Sequence, residues 1–136
     1  GSDEAQKAID HGVGLAAAFD ATVHALYVVD LPNAPRTPHL FDDEEEVRER
    51  YEEYGREVTG EVADAAAAAG IECVTAIRTG APHEEIVDYA EDEGADLIVM
   101  GAGYRGRMRT LLGSTTEKVV RTSSVPVTTL RVEDDE

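Results

Sequence analysis

The sequence has no tryptophan, two phenylalanines and a single cysteine. Cys73 alone leaves no partner for an internal disulfide and too few thiols for a cysteine-based zinc cluster. On a predicted strand it reads as a small core residue rather than a nucleophile. No window approaches the roughly eighteen consecutive apolar residues of a membrane-spanning helix. No charged-then-apolar segment opens the chain, so no secretory leader is expected and the reading is cytoplasmic. His11, His24, His39 and His83 fall at no metal-ligand spacing, and no base stands beside a nucleophile in a recognisable motif. Internal repeats are also missing. The 136 residues suit one domain, spanning 1–136.

Positive charge is scarce and uneven. Lys7 and Lys118 stand beside ten arginines, and 12 basic residues face 29 acidic ones, for a net charge of −17. A chain so charged repels itself in dilute buffer. At molar salt the Debye length falls to about 3 Å and most of that repulsion is screened. The balance reads as a halophilic one and disfavours nucleic acid or an anionic membrane as partner.

The apolar pattern alternates between two periods. Ser2–Phe19 predicts a helix, with Ala5, Ala8, Ile9, Val13, Ala16 and Phe19 on one stripe. Thr22–Val29 predicts a buried strand, with His24 packed inside it. Pro32, Pro35 and Pro38 exclude regular structure from Asp30–Phe41. Asp42–Ala69 predicts a long helix with a solvated acidic start, and Gly70 is placed to stop it. Glu72–Ile77 is a strand closed by Thr79-Gly80. Pro82–Glu93 is a helix with proline and acids at its start, carrying Ile86, Val87, Tyr89 and Ala90 inward. Leu97–Met100 predicts a strand buried on both faces. Ser114–Thr122 is a helix, Pro126–Val132 a last strand, and 133–136 an acidic tail. Alternating strands and helices predict an α/β fold, an open parallel sheet flanked by helices.

The chemistry concentrates in Gly101–Glu117. Glycines follow immediately where the strand ends at Met100, and they let backbone amides approach a ligand. Ligands in open α/β sheets sit beyond the carboxyl ends of strands. Ser114 and Glu117 have capping-box spacing. The first amides of the helix that follows are unpaired within it and carry the positive end of its dipole, which suits an anion. Arg105, Arg107 and Arg109 add three guanidiniums, which either meet phosphate or pair with surface acids. The pattern is not a Walker loop, since no Gly-Lys-Ser/Thr is present.

Met100-Gly101 … Leu111-Leu-Gly113-Ser114-Thr-Thr-Glu117-Lys-Val-Val … Val125-Pro126-Val127 resembles the closing segment of the universal stress protein family. Gly80-Ala-Pro-His83-Glu-Glu-Ile-Val … Gly94-Ala-Asp96-Leu-Ile-Val-Met100 resembles the segment before it, and Gly1-Ser2-Asp3-Glu4 the turn opening the family's first helix. The resemblance implies a Rossmann-like domain with five parallel strands, a role in the stress response, and homodimers through the last strand, here 125–132. It points to the branch that binds ATP, with magnesium, through Gly-x2-Gly-x9-Gly-Ser/Thr. By that resemblance Val28 touches adenine and Met100 and Gly101 line the ribose. Gly103, Gly113, Ser114 and Thr115 hold phosphates.

Two departures set the expectations. One residue separates Gly101 from Gly103 where the family has two, although the nine residues from Gly103 to Gly113 fit; alternatively Gly103-x2-Gly106 fits the first half and the spacer to Gly113 is too short, so on either alignment the glycine loop is shortened. The family also opens with a strand before the Gly-Ser turn, where this sequence begins. Three readings follow: an N-terminal segment outside the sequence, a different pairing of the remaining strands, or a strand supplied by a partner. The expected function is an ATP-binding regulatory module; the alternative is a dimeric interaction protein of the same fold that binds no nucleotide. An enzyme is not expected beyond slow ATP hydrolysis, and no catalytic residue is named.

Overall fold

The computed structural model describes residues 3–30, 43–101 and 113–130. Among these residues four helices and four strands follow one another as α1 (Asp3–Phe19), β1 (Val23–Val29), α2 (Asp43–Ala68), β2 (Cys73–Thr79), α3 (Pro82–Asp92), β3 (Ile98–Gly101), α4 (Ser114–Thr122) and β4 (Val127–Leu130). Each element lies within two residues of its expected bounds. The proline-rich segment 31–42, Gly103, the arginines at 105, 107 and 109, and residues 131–136 fall outside the described residues.

The strands are parallel, as the alternation of helix and strand requires. They pair as β1 with β2, from Val23↔Cys73 to Val29↔Thr79, and as β3 with β4, from Ile98↔Val127 to Gly101↔Leu130. Among the described residues β1 and β3 do not close on each other, so the expected single sheet is present as two parallel pairs.

Helices cover both faces. Tyr27 meets Gly55 of α2, whereas His24, three positions earlier on the same strand, meets Tyr89 of α3. An odd separation along a strand places the two side chains on opposite faces. On one face α2 packs on β1 and β2, and α1 packs on α2 and reaches β3. On the other, α3 and α4 pack on each other.

Ala90, Ile98 and Val119 form a core cluster, joined by the half-buried Ile86, Val87, Met100 and Val127. Val29 and Val119 are the largest fully buried side chains. Burying each contributes about 1.5–3 kcal/mol. Two expectations about the core are corrected. Of Leu97–Met100 only Ile98 is buried, because β3 has a neighbouring strand on one side alone among the described residues. Phe19 is 77% exposed. It still lies on the same arc of the helix as Ala5 and Ala8, so its exposure follows from its place as the last residue of α1 rather than from the stripe.

Candidate functional site

The strand end and helix start that bracket the glycine loop are both formed. β3 ends at Gly101, and α4 begins at Ser114. Gly113 is the cap, extended at φ −65° and ψ 160°, and no side chain among the described residues caps the helix. The first bond of the α4 ladder runs from the Glu117 amide to the Gly113 carbonyl at 2.9 Å. The amides of Ser114, Thr115 and Thr116 therefore stand before the ladder, at the positive end of the dipole.

This corrects the capping-box reading. Ser114 is the first helical residue rather than the cap, which puts Glu117 four residues from the cap instead of three. Its carboxylate pairs with Arg121 at 2.9 Å, one turn further on, rather than with a cap amide. Ser114 is exposed, Thr115 half-buried and Thr116 buried. The hydroxyl of Ser114 is thus accessible beside the leading amides.

The other expected site residues take different positions. Val28 is the penultimate residue of β1, half-buried and in register with Arg78. Met100 packs against the Ala90–Ile98–Val119 cluster, which makes it a core neighbour as well as a strand-end residue. Gly101 closes β3 opposite Leu130. Gly103 lies outside the described residues.

Arg78 is already committed. Its guanidinium lies 3.8 Å from Glu85 and 3.6 Å from Asp92, and 4.9 Å above the Tyr89 ring. Two carboxylates and an aromatic face hold it as a strut between β2 and α3. The Tyr89 hydroxyl is 2.7 Å from Nδ1 of His24, with the two rings edge to face. The expectation of a packed His24 therefore holds. His83 is a half-buried residue 4.0 Å from Glu84. Cys73 is half-buried and its thiol is pushed up by burial, against a smaller opposing effect of a hydrogen bond with the Ala25 backbone. A thiol held protonated is a poor nucleophile.

Three ionisations are disfavoured by the fold. Burial raises Tyr27, Tyr89 and Cys73, with Tyr54 and Tyr51 adding to Tyr27 and Glu93 adding to Tyr89. A raised folded value keeps these groups protonated after the unfolded chain has begun to ionise. Stability is then fully present below the unfolded values of 9.0 for cysteine and 10.0 for tyrosine, and is lost as pH rises above them. Urea midpoints measured from pH 7 to 11 should be level to about pH 9 and then fall. Tyr89→Phe should flatten the upper part of that fall, and an unchanged profile in this variant contradicts the assignment.

Parallel strands flanked by helices define a Rossmann-like α/β domain. The description "Universal stress protein family" matches residues 1–131, and the chain belongs to that family. It is 39% identical over 128 residues to universal stress protein MJ0531 of Methanocaldococcus jannaschii, covering 93% of this chain and 75% of that one. The structure of universal stress protein UspA from Lactobacillus plantarum superposes with a TM-score of 0.81 at 32% identity, covering 96% and 91% of the two chains. A universal stress protein crystallised in complex with cAMP superposes with a TM-score of 0.66 at 26% identity, covering 96% and 89%. No helix among the described residues is long and apolar enough to cross a membrane.

Sequence reasoning missed three features. They are the Arg78 strut, the His24–Tyr89 bond, and a cavity between β1 and α2 lined by tyrosines. Gly55, inside an otherwise strong helix pattern, was the available signal for the last, since a mid-helix glycine often marks a close approach.

Proposed function

We propose that the chain is a nucleotide-binding regulatory module of the stress response, and that ATP is its ligand. The observation that carries this reading is the start of α4, which has no side-chain cap among the described residues. Backbone amides gathered at a helix start bind phosphate through hydrogen bonds and the dipole together. Gly113 and the amides of Ser114 and Thr115 would hold phosphate, with the Ser114 hydroxyl adding a bond. Gly101 and Gly103 would let the chain pass close to the nucleotide, Met100 would flank the ribose and Val28 the base. Magnesium would arrive with the triphosphate. The related protein crystallised with cAMP supports a nucleotide as the class of ligand.

The test is calorimetric titration of ATP in molar potassium chloride, where the charge of −17 is screened. Saturable binding at or below the millimolar range is expected. A flat titration removes the nucleotide reading and leaves the dimeric interaction protein, which the shortened glycine loop favours.

Homodimerisation is part of the same proposal. Val127–Leu130 pairs only with β3 among the described residues, so its other edge has ladder groups to offer a second copy. Pro126 has no amide hydrogen to donate, which centres the pairing on Thr128–Val132. Light scattering in molar salt should give twice the 14.6 kDa chain mass; a monomer across the micromolar range rules the dimer out.

A further inference from the structure

A cavity of about 570 Å³ opens between β1 and the first turns of α2, apart from the β3–α4 junction. Its described lining is Tyr27, Val47, Arg50, Tyr51 and Tyr54. Such a volume is in the range of small-molecule sites, roughly 300–1,000 Å³. Tyr27 is set in place by its neighbours. It lies against the bare Cα of Gly55, where an added Cβ would come within 2.5 Å of the ring, and it meets Tyr54 edge to face at 5.7 Å.

Arg50 is the only charged residue of the described lining. Glu46, Glu49 and Glu53 are close to it in sequence and exposed, yet Arg50 makes no ion pair among the described residues. An uncommitted guanidinium beside three aromatic rings is equipped for a flat anion. Carboxylates engage the guanidinium fork through two parallel hydrogen bonds. Tyrosine rings accept another ring edge to face or offset. Burial and the neighbouring tyrosines keep the Tyr27 hydroxyl protonated, so it adds no negative charge to the wall. A ligand of higher charge would meet the surrounding glutamates with one arginine to offset them, which favours a single negative charge.

We infer that this cavity is a second binding site, taking a small planar aromatic carboxylate with its ring among Tyr27, Tyr51 and Tyr54 and its carboxylate on Arg50. The site stands independently of the nucleotide reading, because it shares no residue with α4.

Benzoate is the probe, titrated into the full chain while tyrosine proton resonances are followed by NMR. Saturable shifts confined to Tyr27, Tyr51 and Tyr54 are expected. Arg50→Gln should weaken binding at least tenfold, and this exposed position leaves the fold intact. Cyclohexanecarboxylate, with the charge but no aromatic ring, and benzyl alcohol, with the ring but no charge, should each bind at least tenfold more weakly than benzoate. Gly113→Val should leave benzoate binding unchanged. The inference is overturned by benzoate that shifts none of these tyrosines, by equal affinity in the Arg50→Gln variant, or by either control binding as well as benzoate.

Discussion

Gly113→Val should weaken ATP binding at least tenfold while moving the melting temperature by no more than about 3 °C. A Cβ built at Gly113 finds no atom of the described residues within 4 Å, so none of them obstructs the side chain. The backbone there is extended, a conformation that a β-branched residue adopts readily. Glycine is a modest cap and valine a poor one, which costs about 0.5–1 kcal/mol. That is the source of the small thermal shift. The proposed phosphate site is affected far more. Two methyl groups would stand before the amides of Ser114 and Thr115, where an anion must approach to about 3 Å. Tenfold corresponds to about 1.4 kcal/mol, within the reach of one helix start acting on a charged ligand. Unchanged affinity in a variant that melts normally would place the nucleotide elsewhere.

Gly55→Val should be the more damaging change to the fold, lowering the melting temperature by roughly 10 °C. The added Cβ would stand 2.5 Å from Cδ2 of Tyr27, 3.0 Å from its Cγ and 3.3 Å from its Cβ. The last two contacts are with the root of the side chain, which rotation of the ring cannot relieve. Either α2 lifts from β1 or Tyr27 leaves its rotamer. Overpacking of this kind costs about 1–3 kcal/mol, partly offset by valine's better helix propensity. The Thr59 hydroxyl bonds to the Gly55 carbonyl at 2.8 Å, so a shift at this turn also strains a buried hydrogen bond. Thermal unfolding by circular dichroism decides the matter; a melting temperature within 2 °C of the parent would show that the contact yields easily.

Much of the fold was legible because each element carries its own period. The stripe of α3, from Ile86 to Ala90, and the β-branched run of β1 required no knowledge of their neighbours. Packing between elements was less accessible. Gly55 and Tyr27 are far apart in sequence, and neither residue type announces the other. Phe19 extended a regular stripe, but exposure depends on where the partner surface ends. At the candidate site, capping-box spacing with Glu117 put the cap at Ser114, and the structure puts it at Gly113. What separated them was the extended backbone of Gly113 and the commitment of Glu117 to Arg121. The glycine spacing between Gly101 and Gly113 falls outside the described residues, so that part of the site rests on the sequence alone.

One position is governed by handedness rather than by polarity or volume. Gly80 donates its amide to the Val29 carbonyl at 3.0 Å, with φ at +153°, and an added Cβ would fall 2.8 Å from the Glu85 carboxylate. Every chiral residue of the genetic code would have to twist out of that bond or push Glu85 away from Arg78. The tie between two strand ends and the ion pair over α3 therefore rests on the one amino acid that is its own mirror image.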